Sequence, residues 1–275
     1  MTMKNHLILS SLLLTVLLVS SCSKPEETWE LVWADEFDGT GSPDTTRWAY
    51  DLGDGCPAVC GWGNNEQQYY TIDTLNARLH HGFLVIEARK DSSKGKPFTS
   101  ARLVTRGKAE WLYGRFEIRA KLPSGRGTWP AIWMLPGEKK YGNWPGSGEI
   151  DIMEHVGYDP GVVHGTLHSE KYNHLKGTQK EGKITRSDVQ EAFHTYVVEW
   201  EPKSVRFMVD DSLYHQVDHV EGDDHTGWPF DQKFYLILNL AVGGNWGGKE
   251  GVDPAIWPRR MEVDFVRVYQ RPAAH

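Results

Sequence analysis

The chain has 275 residues, of which 39% are hydrophobic and 24% are charged, and its formal net charge is −7. This length suits one large β domain or two small ones. The sequence has no basic block, which argues against nucleic acid as a partner; the net negative charge argues more weakly against strongly sulfated or uronate-rich polymers. The 12 tryptophans are more than core filling usually requires.

The first 22 residues are predicted to be a targeting segment that takes no part in the fold. Their apolar run, residues 7–19, is too short to span a bilayer comfortably. Small residues before Cys22 resemble a bacterial lipobox, which would make Cys22 the lipidated first residue of a mature cell-envelope lipoprotein. An ordinary secretory signal cleaved nearby is the alternative. Residues 23–28 form a polar tether, whose acidic residues resemble the surface-export signal of some outer-membrane lipoproteins.

Two further cysteines, Cys56 and Cys60, lie four residues apart in a loop rich in glycine and proline. A local disulfide between them is expected in an oxidising compartment. Two free thiols are the alternative, and a zinc site would need more cysteines or histidines nearby.

After the tether the sequence shows many short strand candidates and no long amphipathic helix. Clusters of Gly, Pro, Asn and Asp separate these candidates, and residues 201–204 predict a tight hairpin between two of them. This pattern indicates an all-β sandwich. Because no linker or repeat divides the chain, residues 29–271 are predicted to form a single domain. The clearest strand candidates are residues 83–88, 115–120, 196–200, 205–209, 234–240 and 263–269.

Residues 149–154 place three carboxylates among apolar and β-branched residues, a composition typical of a strand. Because side chains alternate along a strand, Glu149 and Asp151 face the same way, and a β-bulge at Ile152-Met153 would bring Glu154 beside them. Three carboxylates on one strand face repel each other, so their pKa values are expected to differ from one another. A raised and an unraised carboxyl group about 5 Å apart are what a retaining glycosidase needs. Three solvated acids on an exposed edge strand are the alternative.

Aromatic residues lie on both sides of this strand along the chain. Trp129, Trp133 and Trp144 precede it, and His164 and His168 follow it. Such rings beside carboxylates suit sugars, because flat CH faces stack on rings while polar groups bind hydroxyls. The two histidines share a strand face and could pair on a metal, but no third ligand with fitting spacing appears, so no zinc site is expected there.

The motif Glu149-x-Asp151-x-x-Glu154 resembles the catalytic signature of glycoside hydrolase family 16, and its surroundings resemble the laminarinase-type endo-1,3-β-glucanases. Further blocks match the family in order between about residues 29 and 270, and they begin at Trp33, Gly61, Tyr113, Asn239 and Met261. The resemblance implies a jelly-roll sandwich of two curved antiparallel sheets with a substrate cleft on the concave face. It also implies hydrolysis with retention of configuration.

The resemblance assigns roles to the three acids. Glu149 is expected to be the nucleophile and Glu154 the general acid/base, while Asp151 hydrogen-bonds or electrostatically tunes the nucleophile. This chemistry requires no cofactor. The expected partner is a β-glucan, the membrane is contacted only through the lipid anchor, and the protein is expected to be a monomer.

By the same resemblance, a set of polar and aromatic residues is expected to bind substrate. Simple core packing is the alternative for the tryptophans at 129 and 133, a surface salt bridge for the arginine, and loop support for the tryptophan at 246. The expected substrate-binding residues are Asn65, Arg102, Trp129, Trp133, His168, Asn245 and Trp246.

Many members of the family hold a structural calcium ion on the convex side, and the matching positions are Glu36, Gly82 and Asp264. A carboxylate with backbone carbonyls suits calcium. The alternative is that Asp264 caps a turn or pairs with an arginine. Such an ion would stabilise the fold and take no part in the chemistry.

The bulge separates this chain from lichenases and xyloglucan-active enzymes, whose catalytic strand alternates strictly. Agarases and carrageenases can share the bulge, but Trp129, Trp133 and the block at Gly61 favour 1,3-β-glucan. Four alternatives stay open: an agarase, a mixed-linkage glucanase, a transglycosylase, and a surface lipoprotein that binds glycans without turnover. Relatives that only bind have usually lost one of the two glutamates, and both are present here.

Overall fold

The computed structural model describes residues 28–272, and the prediction of an all-β fold is confirmed. Apart from two short 3-10 helices, Cys60–Gly63 and His174–Lys176, the regular structure of these residues is β-strand. The first nine strands are β1 (Glu30–Asp35), β2 (Ala49–Tyr50), β3 (Gln68–Tyr70), β4 (Ala77–His80), β5 (Phe83–Lys90), β6 (Phe98–Ser100), β7 (Arg102–Val104), β8 (Gly114–Lys121) and β9 (Thr128–Pro136). The others are β10 (Glu149–Glu154), β11 (Val162–His168), β12 (Lys180–Thr185), β13 (His194–Glu201), β14 (Ser204–Val209), β15 (Ser212–Asp218), β16 (Phe234–Val242) and β17 (Arg259–Gln270).

The strands form two sheets that pack face to face as a jelly-roll sandwich. The larger sheet has ten strands in the order β15-β14-β13-β8-β17-β5-β6-β3, with β1 also pairing with β17 and β4 with β5. The smaller sheet has seven, in the order β12-β11-β10-β9-β16-β7-β2. Strands β3 and β6 pair in parallel, whereas β9, β10, β11 and β16 form antiparallel ladders. All six strand candidates from the sequence lie within strands, and the hairpin at 201–204 joins β13 to β14.

Strand β16 shows how the smaller sheet is covered on both faces. All nine of its residues are buried. Leu236 and Leu238 belong to the main apolar cluster between the sheets, whereas Ile237 packs in a second cluster on the opposite face. Asn239 shares that opposite face, because side chains alternate along a strand. The smaller sheet therefore has a second, partly polar face, and the functional site lies on it.

The expected disulfide between Cys56 and Cys60 is present. It lies at the start of the loop that leads to Trp62 and Asn65. No helix within residues 28–272 is long and apolar enough to cross a membrane. The predicted signal segment, Cys22 and all but the last residue of the predicted tether lie outside the described residues.

The three positions matched to a calcium site lie on or beside the larger sheet, away from β10. Both carboxylate oxygens of Glu36 accept hydrogen bonds from Arg267 at 2.8 Å. Asp264 pairs with Arg119 through its Oδ2 atom, as the alternative for Asp264 proposed. The carboxylate of Glu36 is thus fully engaged, so this residue fits a cation only through its backbone carbonyl, whereas Asp264 retains its Oδ1 atom.

Candidate active site

Strand β10 carries the three acids and has the expected bulge. Against β9, Asp151 pairs with Trp133 and Met153 with Ile132, so one extra residue is accommodated between them. Ile152 and Met153 both point into the core, at 1% and 0% exposure. Two consecutive inward residues return Glu154 to the face of Glu149 and Asp151. Since β10 lies between β9 and β11, the alternative of solvated acids on an edge strand is wrong.

Burial dominates the electrostatics of this face. Asp151 is only 2% exposed. Burial raises the pKa of both Glu149 and Asp151 well above their usual ranges, and the charge of Asp151 raises the pKa of Glu149 further. The two carboxyl groups are hydrogen-bonded to each other. Because two buried carboxylates so close together repel each other, the pair shares a proton and does not carry two full negative charges.

Glu154 is the third acid, and its pKa is raised to about 8. Burial is the main cause, and the nearby charge of Asp151 adds to it. The indole Nε1–H of Trp129 donates a hydrogen bond to Glu154 Oε1 at 3.0 Å, which favours the ionised form and opposes the shift. Glu154 is therefore protonated at neutral pH and suited to donate a proton.

Trp129 is also part of an aromatic wall beside Glu154. Its ring meets that of Trp246 edge to face at 5.6 Å, and Trp246 meets His164 in the same way at 5.0 Å. His164 in turn shares a 2.6 Å hydrogen bond through Nδ1 with Glu181 on β12. Trp129 and Trp246 thus lie beside Glu154, and Trp246 also packs against its neighbours; their expected role in binding substrate stays a prediction.

Trp133 and Arg102 stack beside each other on the same face of the sheet. The guanidinium of Arg102 lies 4.7 Å from the ring centroid of Trp133 and 4.4 Å from that of Trp62. Arg102 Nε is 3.1 Å from Asp51 Oδ2, and the arginine is only 7% exposed. Arg102 therefore does form an ion pair, but the pair is buried between aromatic rings and does not lie on the surface as that alternative proposed.

Asn65 and Asn245 come together although 180 residues separate them, since Asn65 Nδ2 donates to Asn245 Oδ1 at 2.8 Å. Asn65 has a positive φ of 56°, a conformation that asparagine tolerates better than most residues. This contact joins the loop after the disulfide to the loop after β16.

His168 lies directly opposite Glu149 on β11. Its Nε2 atom is 3.3 Å from Asp151 Oδ2 and 3.8 Å from Glu149 Oε1. Its ring packs against those of Trp144 and His174, with centroids 6.2 and 5.2 Å away. The sequence analysis weighed His168 and His164 as a pair of metal ligands. In the structure, His168 instead lies beside Asp151 and Glu149.

Comparison with known proteins identifies the family. Residues 59–267 match the family model of Glycosyl hydrolases family 16. The chain belongs to this family. It is 53% identical over 277 residues to a beta-glucanase of Rhodothermus marinus, covering 98% of this chain and 95% of that protein. The expected membership of family 16 is confirmed.

Two solved structures support the assignment of this family 16 chain. The laminarinase from Rhodothermus marinus has a TM-score of 0.86 at 56% identity, covering 90% of this chain and 99% of that one. SCLam, described as a non-specific endo-beta-1,3(4)-glucanase, has a TM-score of 0.84 at 45% identity, covering 90% and 93%. At these identities the two proteins resemble this chain in sequence as well as in fold.

Some residues that shape this family 16 site were not assigned a role from the sequence. Trp133 Nε1 donates to Asn239 Oδ1 at 2.7 Å, and Asn239 Nδ2 donates to the hydroxyl of Tyr70 at 3.0 Å. Tyr70 in turn donates to Glu66 at 3.3 Å. A signal was available: Asn239 is a lone amide in an apolar strand, and a buried amide requires hydrogen-bond partners.

Proposed function

We propose that this family 16 glycoside hydrolase cleaves internal 1,3-β-glucosidic bonds by double displacement with retention of configuration. The observation that carries the proposal is the bulge in β10, which places Glu149, Asp151 and Glu154 on one buried face lined by indole rings. The similarity to a laminarinase and to a beta-glucanase supports the choice of substrate.

The first step forms a covalent intermediate. Glu154 is protonated below a pH of about 8 and gives its proton to the glycosidic oxygen as the C1–O bond breaks. The carboxylate of Glu149 attacks C1 from the opposite face and forms a glycosyl ester, which removes its charge. The attack requires the proton shared by the pair to lie on Asp151 at that moment, so that Glu149 carries the negative charge.

The second step releases the sugar. Glu154, now ionised, takes a proton from a water molecule, whose oxygen attacks C1 and displaces Glu149 as a carboxylate. Each displacement inverts the configuration at C1, so the two together retain it. Another sugar hydroxyl competes with water for the same intermediate, which is the route to transglycosylation.

The sheet provides separate surfaces for the two sides of the broken bond. The face of β9, β16 and β7 carries Trp133, Asn239 and Arg102, and we assign the glycone side to it. The face of β11 and β12 lies on the other side of β10 and carries His164 and Glu181, so it receives the leaving chain. Flat sugar faces suit the rings, and their hydroxyls suit the amide and guanidinium groups.

The function is tested by incubating the protein with laminarin, lichenan, agarose and xyloglucan and following the products over time. We expect early release of mixed laminari-oligosaccharides, because internal cleavage gives several lengths at once. The β-anomer should form first, as retention requires, and proton NMR measures it. Cleavage of agarose alone would replace the substrate but retain the mechanism. Binding of laminarin without cleavage would contradict the proposed activity and would indicate a protein that only binds glycans.

Mixed-linkage glucan is a second candidate substrate for the same site. It is favoured by the similarity to SCLam, described as acting on 1,3(4)-linkages. Lichenan in the same experiment decides between a strict and a broad specificity, through the ratio of its kcat/KM to that of laminarin.

We propose further that Cys22 is lipidated, that the protein is anchored in the outer membrane of a bacterium, and that it acts as a monomer. The lipobox-like residues before Cys22 support the anchor, and a site built from one chain supports the monomer. Metabolic labelling with a fatty acid should mark the wild type and not Cys22→Ser. Labelling of both forms equally would contradict lipidation at this residue.

Family 16 hydrolases need no cofactor for catalysis, but we propose a structural calcium ion. Its ligands would be the carbonyls of Glu36 and Gly82 and the Oδ1 atom of Asp264. We expect a higher melting temperature in excess calcium than in EDTA, with equal kcat, because the position lies away from β10. Asp264→Asn should reduce the difference. Equal melting temperatures for the wild type would contradict the proposal.

A further inference from the structure

Glu149, Asp151 and His168 bring three potential metal ligands together. One ligand atom from each lies within 4.8 Å of the other two. His168 Nε2 is 3.3 Å from Asp151 Oδ2 and 3.8 Å from Glu149 Oε1. A tetrahedral zinc ion with bonds of about 2.0–2.1 Å separates neighbouring ligand atoms by roughly 3.4 Å. The His168–Asp151 distance therefore matches one edge of a zinc coordination tetrahedron, and Glu149 Oε1 must move slightly closer to His168 to complete the face.

A second observation also points to a ligand. The Oδ2 atom of Asp151 is buried and has no hydrogen-bond partner, although the residue is only 2% exposed. Most buried polar atoms are paired, and an unpaired one calls for an explanation such as an ion. This atom lies beside His168 Nε2. Among residues 28–272, no other group of three or more such side chains is this close together.

We propose that Glu149, Asp151 and His168 bind a divalent transition-metal ion, Zn²⁺ in the first instance, which inhibits the enzyme by occupying its nucleophile. An imidazole nitrogen with two carboxylate oxygens suits zinc, whereas calcium and magnesium prefer six or more oxygen ligands. A water molecule completes the fourth position.

Charge balance favours the ion. Glu149 and Asp151 share one proton because two buried negative charges so close together repel. A Zn²⁺ ion replaces that proton, which leaves as H⁺, and its two positive charges neutralise both carboxylates. Once coordinated, the oxygen of Glu149 is no longer free to attack C1. Inhibition is therefore competitive with the glucan, because the ion and the reacting sugar need the same oxygen.

The test measures binding directly, with the full chain carrying no polyhistidine tag. Calorimetry with Zn²⁺ should show one ion displaced by laminarihexaose, and Co²⁺ should give the strong visible absorption of four-coordinate cobalt. His168→Ala should weaken this binding by at least about tenfold. His164→Ala is the matched control, because His164 lies on the same strand but pairs with Glu181, and it should retain the ion. The exposed neighbours His80 and His81 account for any zinc that the oligosaccharide does not displace.

Two results would overturn the proposal: zinc binding that laminarihexaose does not reduce, or equal binding by His168→Ala and the wild type. The displacement step rests on the proposed glucan cleft, but the binding and cobalt measurements do not. A bound four-coordinate ion in a protein that leaves laminarin intact would contradict the proposed function alone. A protein that cleaves laminarin but binds no such ion when zinc or cobalt is added would contradict this inference alone.

Discussion

Replacing Glu149 by serine is expected to lower kcat on laminarin by at least about 10⁴-fold, because removing a nucleophile leaves only binding and acid catalysis. Serine is smaller and neutral, so the buried face should tolerate it. Steady-state assays on laminarin measure the loss. Glu191→Ser is the control, since Glu191 lies on an exposed turn away from β10, and it should retain the wild-type rate.

Azide distinguishes a lost nucleophile from a damaged site. In Glu149→Ser, azide can enter the space left by the carboxylate and attack C1 directly. A single displacement inverts the configuration, so the product from an activated β-laminarioside should be an α-glycosyl azide, identified by NMR. Recovery of a β-glycosyl azide would show that another group still serves as nucleophile and would refute the role of Glu149.

Glu154→Ala should lower kcat/KM on laminarin by about 10²- to 10⁴-fold, the usual contribution of general acid–base catalysis. A nitrophenyl laminarioside should lose much less in its first step, because its leaving group needs no proton. In the wild type, Glu154 is protonated below a pH of about 8, so kcat/KM should fall as pH rises through that value. The alanine variant should lack this alkaline limb. Equal losses on both substrates would refute the role of general acid.

Trp129→Phe tests the same group without removing it. Trp129 donates a hydrogen bond to Glu154 Oε1 and thereby favours the ionised form. Its loss should raise the pKa of Glu154, so the alkaline limb of kcat/KM should move to higher pH while the enzyme remains active. A limb that stays in place, or moves to lower pH, would mean that the hydrogen bond does not control this proton.

The catalytic strand is the part of the site that the sequence predicted best. The three acids are interleaved with Ile150, Ile152 and Met153. Only a bulge places all three apolar residues in the core and all three acids on the opposite face, so the sequence pattern alone predicts it. The all-β fold was accessible for a similar reason, since period-two patterns and turn residues repeat along the chain. Both predictions depend on neighbours in sequence.

What the sequence could not supply was which distant strands are neighbours in space. Trp133 and Asn239 are hydrogen-bonded although 106 residues apart, and alternation alone cannot reveal that β9 lies beside β16. Arg102 was expected to bind substrate or form a surface pair. Its burial depends on Asp51 and Trp62, which the loop before β3 brings to it. Likewise, His168 joins the two acids only because β11 pairs with β10.

The burial of β10 between two strands couples folding to the uptake of protons. Glu154 has an ordinary pKa of 4.5 and a pKa of about 8 in the folded protein. Its contribution to stability is therefore complete below pH 4.5 and is lost as pH rises through about 8, because the unfolded chain gains by ionising this group. At neutral pH the polypeptide thus takes up a proton as it folds. The residue proposed as the general acid thus also makes the folded state less favourable in alkaline surroundings.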